Sequence, residues 1–176
     1  MDRPSFPVPF PHAYWVIPEK LIVGAYPGSK REERAKFFMF GISQIINLVE
    51  DGERGQAGKP LPNYYNSLSM DAKRHVATIS VSRKPIKYGT VPSVNTMKAI
   101  LDKIDVAISR GRRVYVHSQN GRGRAGMVVG CYLVRHGMTG DEALEWIRIL
   151  RMAKPNGPLP SPETKGQRKM VLNWKG

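Results

Sequence analysis

The residues able to do chemistry are concentrated in one run, Val114-Tyr115-Val116-His117-Ser118-Gln119-Asn120-Gly121-Arg122-Gly123-Arg124-Ala125-Gly126. Three β-formers lead into a turn rich in glycine and arginine, and an apolar stretch over residues 127–134 reads as a helix. A strand that ends in such a turn and opens a helix can hold phosphate. Its backbone N–H groups point inward, the helix N-terminus adds positive potential, and glycine lets the backbone approach closely. Arg124 would supply a planar, two-pronged donor to two phosphate oxygens. Gln119, Asn120, Gly121, Arg122, Gly123, Ala125 and Gly126 would line the same cradle. A lone glycine-rich turn is usually no more than a tight β–α bend. Here strand, turn, arginine and helix follow in the order phosphate binding needs, and that reading is preferred.

The segment from His117 to Gly126 resembles the signature loop of cysteine-dependent protein tyrosine and dual-specificity phosphatases. That signature reads His-Cys, five residues, Arg, then Ser or Thr and Gly. His117, Gly121, Arg124 and Gly126 fall at the family spacing. The similarity extends over about residues 13–174, through Ile45-Ile46-Asn47-Leu48, Val91-Pro92-Ser93, Arg135-His136-Gly137 and Ser161-Pro162-Glu163-Thr164 with Gln167. It implies a phosphomonoester hydrolase whose thiolate attacks phosphorus, with no metal and no cofactor.

The chain departs from that pattern where chemistry matters. The nucleophilic cysteine falls on Ser118, whose hydroxyl is far less acidic and needs an adjacent base. In the family the preceding histidine, here His117, organises the loop and does not take that proton. Aligning Pro85-Ile86 and Val91-Pro92-Ser93 puts the family's general-acid aspartate on Tyr88, a phenol too weakly acidic for proton donation near neutrality. The nearest acidic residue upstream is Asp71, seventeen positions away. The hydroxyl residue that eases breakdown of the phospho-enzyme falls on Ala125. The expected result is a loop that binds a phosphoryl group and does not release it by hydrolysis. Two origins fit, a cysteine-to-serine substrate trap and a natural pseudophosphatase. Three departures together favour the second.

The elements that must position this loop are read in chain order. A proline-rich arm covers residues 1–12, followed by short strands over 14–17 and 21–23. Ser29 is expected to cap a helix with Glu32 and Glu33 in its first turn, stopped by Gly41. Residues 42–49 read as a buried strand, and 50–63 as a polar loop. A short helix over 66–74 and a strand over 76–81 follow, then an exposed loop over 83–92. Ser93 caps a helix with Met97, Ile100, Leu101, Ile104 and Ile108 on one face. After the central strand and loop, Thr139 and Glu142 form a capping box for a helix ending at Arg151. Residues 154–160 form a loop. Ser161-Pro162-Glu163 is expected to start the last helix, with proline at its first position. Trp15, Trp146 and Trp174 sit in apolar patterns and read as core. The alternation predicts one α/β domain over residues 1–176, a mostly parallel central sheet flanked by helices, like the dual-specificity phosphatases.

Composition narrows the class. The 176 residues carry 41% hydrophobic and 24% charged residues, ordinary for a globular protein. Cys131 is the single cysteine, so no intrachain disulfide can form. Prolines break up the first residues where a signal peptide would need an apolar run, and no stretch is long enough for a membrane helix. A cytoplasmic location with no membrane contact is the expectation. The net charge of +14 is large for this size. It attracts anions, and the expected partners are a phosphorylated protein or a small phosphorylated ligand. Nucleic acid or a polyphosphate or inositol phosphate on the basic surface is the alternative, against which the scattered aromatics speak.

Overall fold

A computed structural model describes residues 7–55, 57–75 and 77–176. A five-stranded sheet runs through the centre in the order β1-β2-β5-β3-β4. These strands are β1 (Tyr14–Ile17), β2 (Leu21–Gly24), β3 (Ile42–Asn47), β4 (Ser80–Arg83) and β5 (Arg113–His117). β1 pairs antiparallel with β2, and every other pairing is parallel. The fold is therefore the mixed α/β architecture expected, with the motif-bearing strand in the middle position.

Alternation along β5 sends side chains to both faces, as a strand buried on both sides requires. Val114 and Val116 join Leu21, Val23 and Ile46 in one core, covered by α3 (Val94–Ser109), α4 (Arg124–Arg135) and α5 (Gly140–Arg151). Tyr115 turns the other way, into a second core with Ile22, Ile45, Phe37, Tyr64 and Leu68. Those last three come from or border α1 (Arg31–Met39) and α2 (Tyr65–Arg74). Helix α6 (Lys165–Leu172) packs on α4, where Gly130 lets it approach closely: a Cβ there would lie 2.5 Å from Val171.

Capping signals in the sequence hold where hydroxyl and helix agree. The Ser93 hydroxyl accepts from the Thr96 N–H at 3.1 Å, and Thr139 and Glu142 form the reciprocal box at α5. Gly41 follows α1 with φ +62°. Four expectations are corrected. Helix α1 begins one residue later than Ser29 would cap it, because the Glu33 carboxylate takes the Lys30 N–H at 2.8 Å. The last helix does not start at Pro162: Thr164 caps it, accepting from the Gln167 N–H at 3.2 Å, while the Ser161 hydroxyl donates to the Arg122 carbonyl instead. The strand expected over 76–81 is β4, starting at Ser80, where its pairing with Gln44 of β3 begins; residue 76 lies outside the described residues. Trp174 is buried, but Trp15 and Trp146 are only half-buried and pack against the cores from outside.

Candidate active site

β5 delivers His117 and Ser118, both buried, to the carboxyl edge of the sheet, and α4 starts at Arg124, inside the motif. The turn between them is pinned from behind. Tyr26 donates its N–H to the Gln119 carbonyl at 3.0 Å, the Asn156 amide donates to the Asn120 carbonyl at 3.3 Å, and the Ser161 hydroxyl donates to the Arg122 carbonyl at 2.8 Å. Gly121 has φ +66°, and a Cβ there would sit 2.5 Å from the Gly24 backbone. Gly126 meets Ser161 Oγ, 2.2 Å from where its Cβ would be. The carbonyls are thus committed outward. Among the described residues, no hydrogen bond engages the N–H groups of Gln119, Asn120, Gly121, Arg122 or Gly123.

Arg124 is buried and clamped. The Glu53 carboxylate takes Nη1 at 2.7 Å and Nη2 at 2.6 Å, and the Ile86 carbonyl takes a further Nη1 bond at 3.0 Å. These partners occupy the far end of the guanidinium. The edge formed by Nε and the second Nη2 hydrogen is in none of these bonds, and that edge is a ready two-pronged donor. Glu53 comes from the stretch read only as a polar loop, seventy-one positions before Arg124. Nothing local in the sequence singles it out from its acidic neighbours.

His117 lies wholly buried with Nε2 2.7 Å from the Tyr64 hydroxyl. Burial, with a smaller contribution from the Arg124 charge, holds its pKa down at about 3. It is neutral and structural at any ordinary pH. Cys131 lies inside α4, where burial pushes its thiol up to about 12. It is no substitute nucleophile.

Tyr88 does reach the site. Its half-exposed ring sits 5.4 Å from the Arg124 guanidinium carbon. Together with Gly89, Ser118, Asn120, Gly123, Arg124, Glu163 and Gln167 it lines a small, partly open pocket of about 10 Å³. Glu163 is the one carboxylate of that lining. It pairs with Arg122, accepts from the Tyr88 hydroxyl at 3.4 Å, and its Oε2 lies 3.0 Å from a Cβ built on Gly123. In the sequence Glu163 reads only as part of a helix start. Ala125 is wholly buried and contributes no polar atom. Among the described residues, no helix is long and apolar enough to cross a membrane and no group of three His, Cys, Asp or Glu could hold a metal ion.

Comparison with known proteins agrees with this fold. The chain is 41% identical to dual specificity protein phosphatase CDC14AB of Danio rerio over 155 residues, 82% of this chain and 23% of that one. It is 31% identical to protein tyrosine phosphatase domain-containing protein 1 of Mus musculus over 169 residues, 89% of this chain and 20% of that one. The chain thus spans about a fifth of the length of the curated relatives it matches. Among solved structures, the active form of Tk-PTP superposes with a TM-score of 0.72 at 27% identity, covering 93% of this chain and 95% of that one. The family model described as polymorphic toxin system, DSP-PTPase phosphatase matches residues 30–138. With the signature turn inside that match, the chain belongs to the DSP-PTPase phosphatase family.

Proposed function

We propose that this domain captures a phosphoryl group, carried by a phosphorylated protein or a small phosphorylated ligand, in the loop of residues 118–126 and does not hydrolyse it. The observation that carries the reading is the Arg124 guanidinium, whose far end is held by Glu53 while its Nε edge stays uncommitted beside free loop N–H groups. Preorganised donors around an anion site are the recognition half of a phosphatase.

The reactive half is missing. Ser118 stands in the nucleophile position, and the adjacent His117 is tied to Tyr64 and cannot act as its base. Tyr88 stands in the general-acid position with a phenol where a carboxyl group is needed. Ala125 offers no hydroxyl to the phospho-enzyme step. The coincidence of three losses favours a natural pseudophosphatase over a cysteine-to-serine trap. The single reduced, buried Cys131 suits a cytoplasmic setting.

Titration with phosphate and tungstate, monitored by calorimetry, tests the capture. The original protein should bind and Arg124→Ala should not; equal binding overturns the proposal. Turnover of p-nitrophenyl phosphate should be negligible, and robust hydrolysis abolished by Ser118→Ala would overturn its catalytic half.

A further inference from the structure

Glu163 is a carboxylate placed inside an anion site. The chain as a whole carries +14, so its long-range field draws anions in, yet one side chain lining the site has the same sign as they do. Glu163 pairs with Arg122, one of the loop's two arginines, and its Oε2 lies against Gly123, whose N–H is one of the free donors. The Tyr88 hydroxyl at 3.4 Å and the neighbouring Gln167 complete its surroundings. Glu163 and Tyr88 border the narrow space over Ser118, about 10 Å³ and partly open to solvent. An entering phosphoryl therefore has two options. It displaces Glu163 from Arg122 and Gly123, or it arrives with a positive group that Glu163 can take in exchange.

Resting on the phosphoryl-binding reading of residues 118–126, we infer that Glu163 is the specificity-determining residue of this site. It selects phosphomonoesters whose organic part carries an ammonium or guanidinium group a few bonds from the phosphoryl oxygen. A bare phosphate ester leaves two like charges facing each other in a half-closed pocket, which disfavours it. A ligand with a neighbouring cation turns that repulsion into an attraction. Selection then comes from a repulsive element aimed at the wrong ligands as much as from the contacts to the right one.

The test compares two ligands of nearly equal size, O-phosphoethanolamine and ethyl phosphate, by calorimetry. The original protein should prefer phosphoethanolamine by about tenfold or more. Glu163→Gln keeps the shape and removes the charge, so it should bring that ratio close to one, chiefly by tightening ethyl phosphate. Arg124→Ala should lose both ligands, which reports on the oxyanion site itself. A preference unchanged in Glu163→Gln overturns the inference and leaves the phosphoryl reading intact. If neither ligand binds any variant, the phosphoryl reading fails, and Glu163 is judged by a readout that needs no phosphate. In Ser118→Cys the thiol can be alkylated by iodoacetate, an anion, or by neutral iodoacetamide. Adding Glu163→Gln should shift the rate ratio about tenfold toward iodoacetate, and a constant ratio overturns the inference by itself.

Discussion

The hydroxyl of Tyr64 lies 2.7 Å from Nε2 of His117, and both side chains are buried between the second core and the signature turn. The pair joins the helix α2 side of the sheet to the residue before Ser118. Tyr64→Phe removes the only polar partner of that ring nitrogen among the described residues, and should lower stability by about 1–3 kcal/mol in urea unfolding.

The same histidine sets an acid limit. Its folded pKa of about 3 lies below the unfolded value of about 6.5, so the unfolded chain takes up a proton first as pH falls. The stability it contributes is full above about pH 6.5 and is lost progressively toward pH 3, at up to about 1.4 kcal/mol per pH unit. Unfolding free energies measured across that window should show the slope, and His117→Gln should flatten it.

Glu53→Gln should separate the clamp from the fork. The amide keeps one acceptor for Arg124 but loses the two-pronged, charge-assisted pair, and phosphate affinity should fall about tenfold while the fold persists. Arg124→Ala leaves the half-buried Glu53 carboxylate without its cation, and should cost about 1–3 kcal/mol besides abolishing binding. Calorimetric titration and urea unfolding of the two variants distinguish the effects.

Two glycines with nearly equal φ make a controlled comparison. Gly121 (φ +66°) abuts the Gly24 and Ala25 backbone, whereas Gly52 (φ +71°) has nothing within 4 Å of where its Cβ would be. Gly52→Ala should cost only the left-handed backbone penalty of roughly 1–2 kcal/mol. Gly121→Ala adds an unrelieved backbone clash, and should unfold the turn or cost at least about 3 kcal/mol. Midpoints of urea unfolding give the comparison directly.

Rebuilding the reactive groups tests the account of their loss. Ser118→Cys restores an acidifiable thiol at the start of the free N–H groups, and should give weak turnover. Adding Tyr88→Asp should raise it by about 10²–10⁴-fold and introduce a falling limb in the pH profile as the new carboxyl group ionises. If the double variant is no faster than Ser118→Cys, Tyr88 does not hold the acid's place.

What is legible in the sequence is what lies close together along it. His117, Gly121, Arg124 and Gly126 stand out through their resemblance to the family signature, which is visible because strand, turn and helix are continuous. Glu53 and Tyr64 reach the turn from the other side of the sheet, and Glu163 from the strap before α6, so no local pattern marks them. The start of the last helix shows the same limit. Ser161-Pro162-Glu163 and Thr164 with Gln167 are both valid start signals, and the first loses because tertiary contacts claim Ser161 for the Arg122 carbonyl and Glu163 for the Arg122 side chain. Alignment through the surrounding prolines places Tyr88 at the loop, and its ring does lie over Arg124.

On the proposed function, the Glu53 clamp would make phosphoryl affinity a property of a surface segment. Glu53 rides on residues 50–55 and 57–63, joined by the Leu61 N–H to Glu53 carbonyl bond and the Gly55 N–H to Lys59 carbonyl bond, both 2.8 Å. Were that segment to open, the arginine fork would lose its anchor, and the apparent dissociation constant would be the intrinsic one divided by the closed fraction. A partner that pries it open would weaken capture without ever entering the pocket, while a partner that clasps it would add at most what the open fraction withholds.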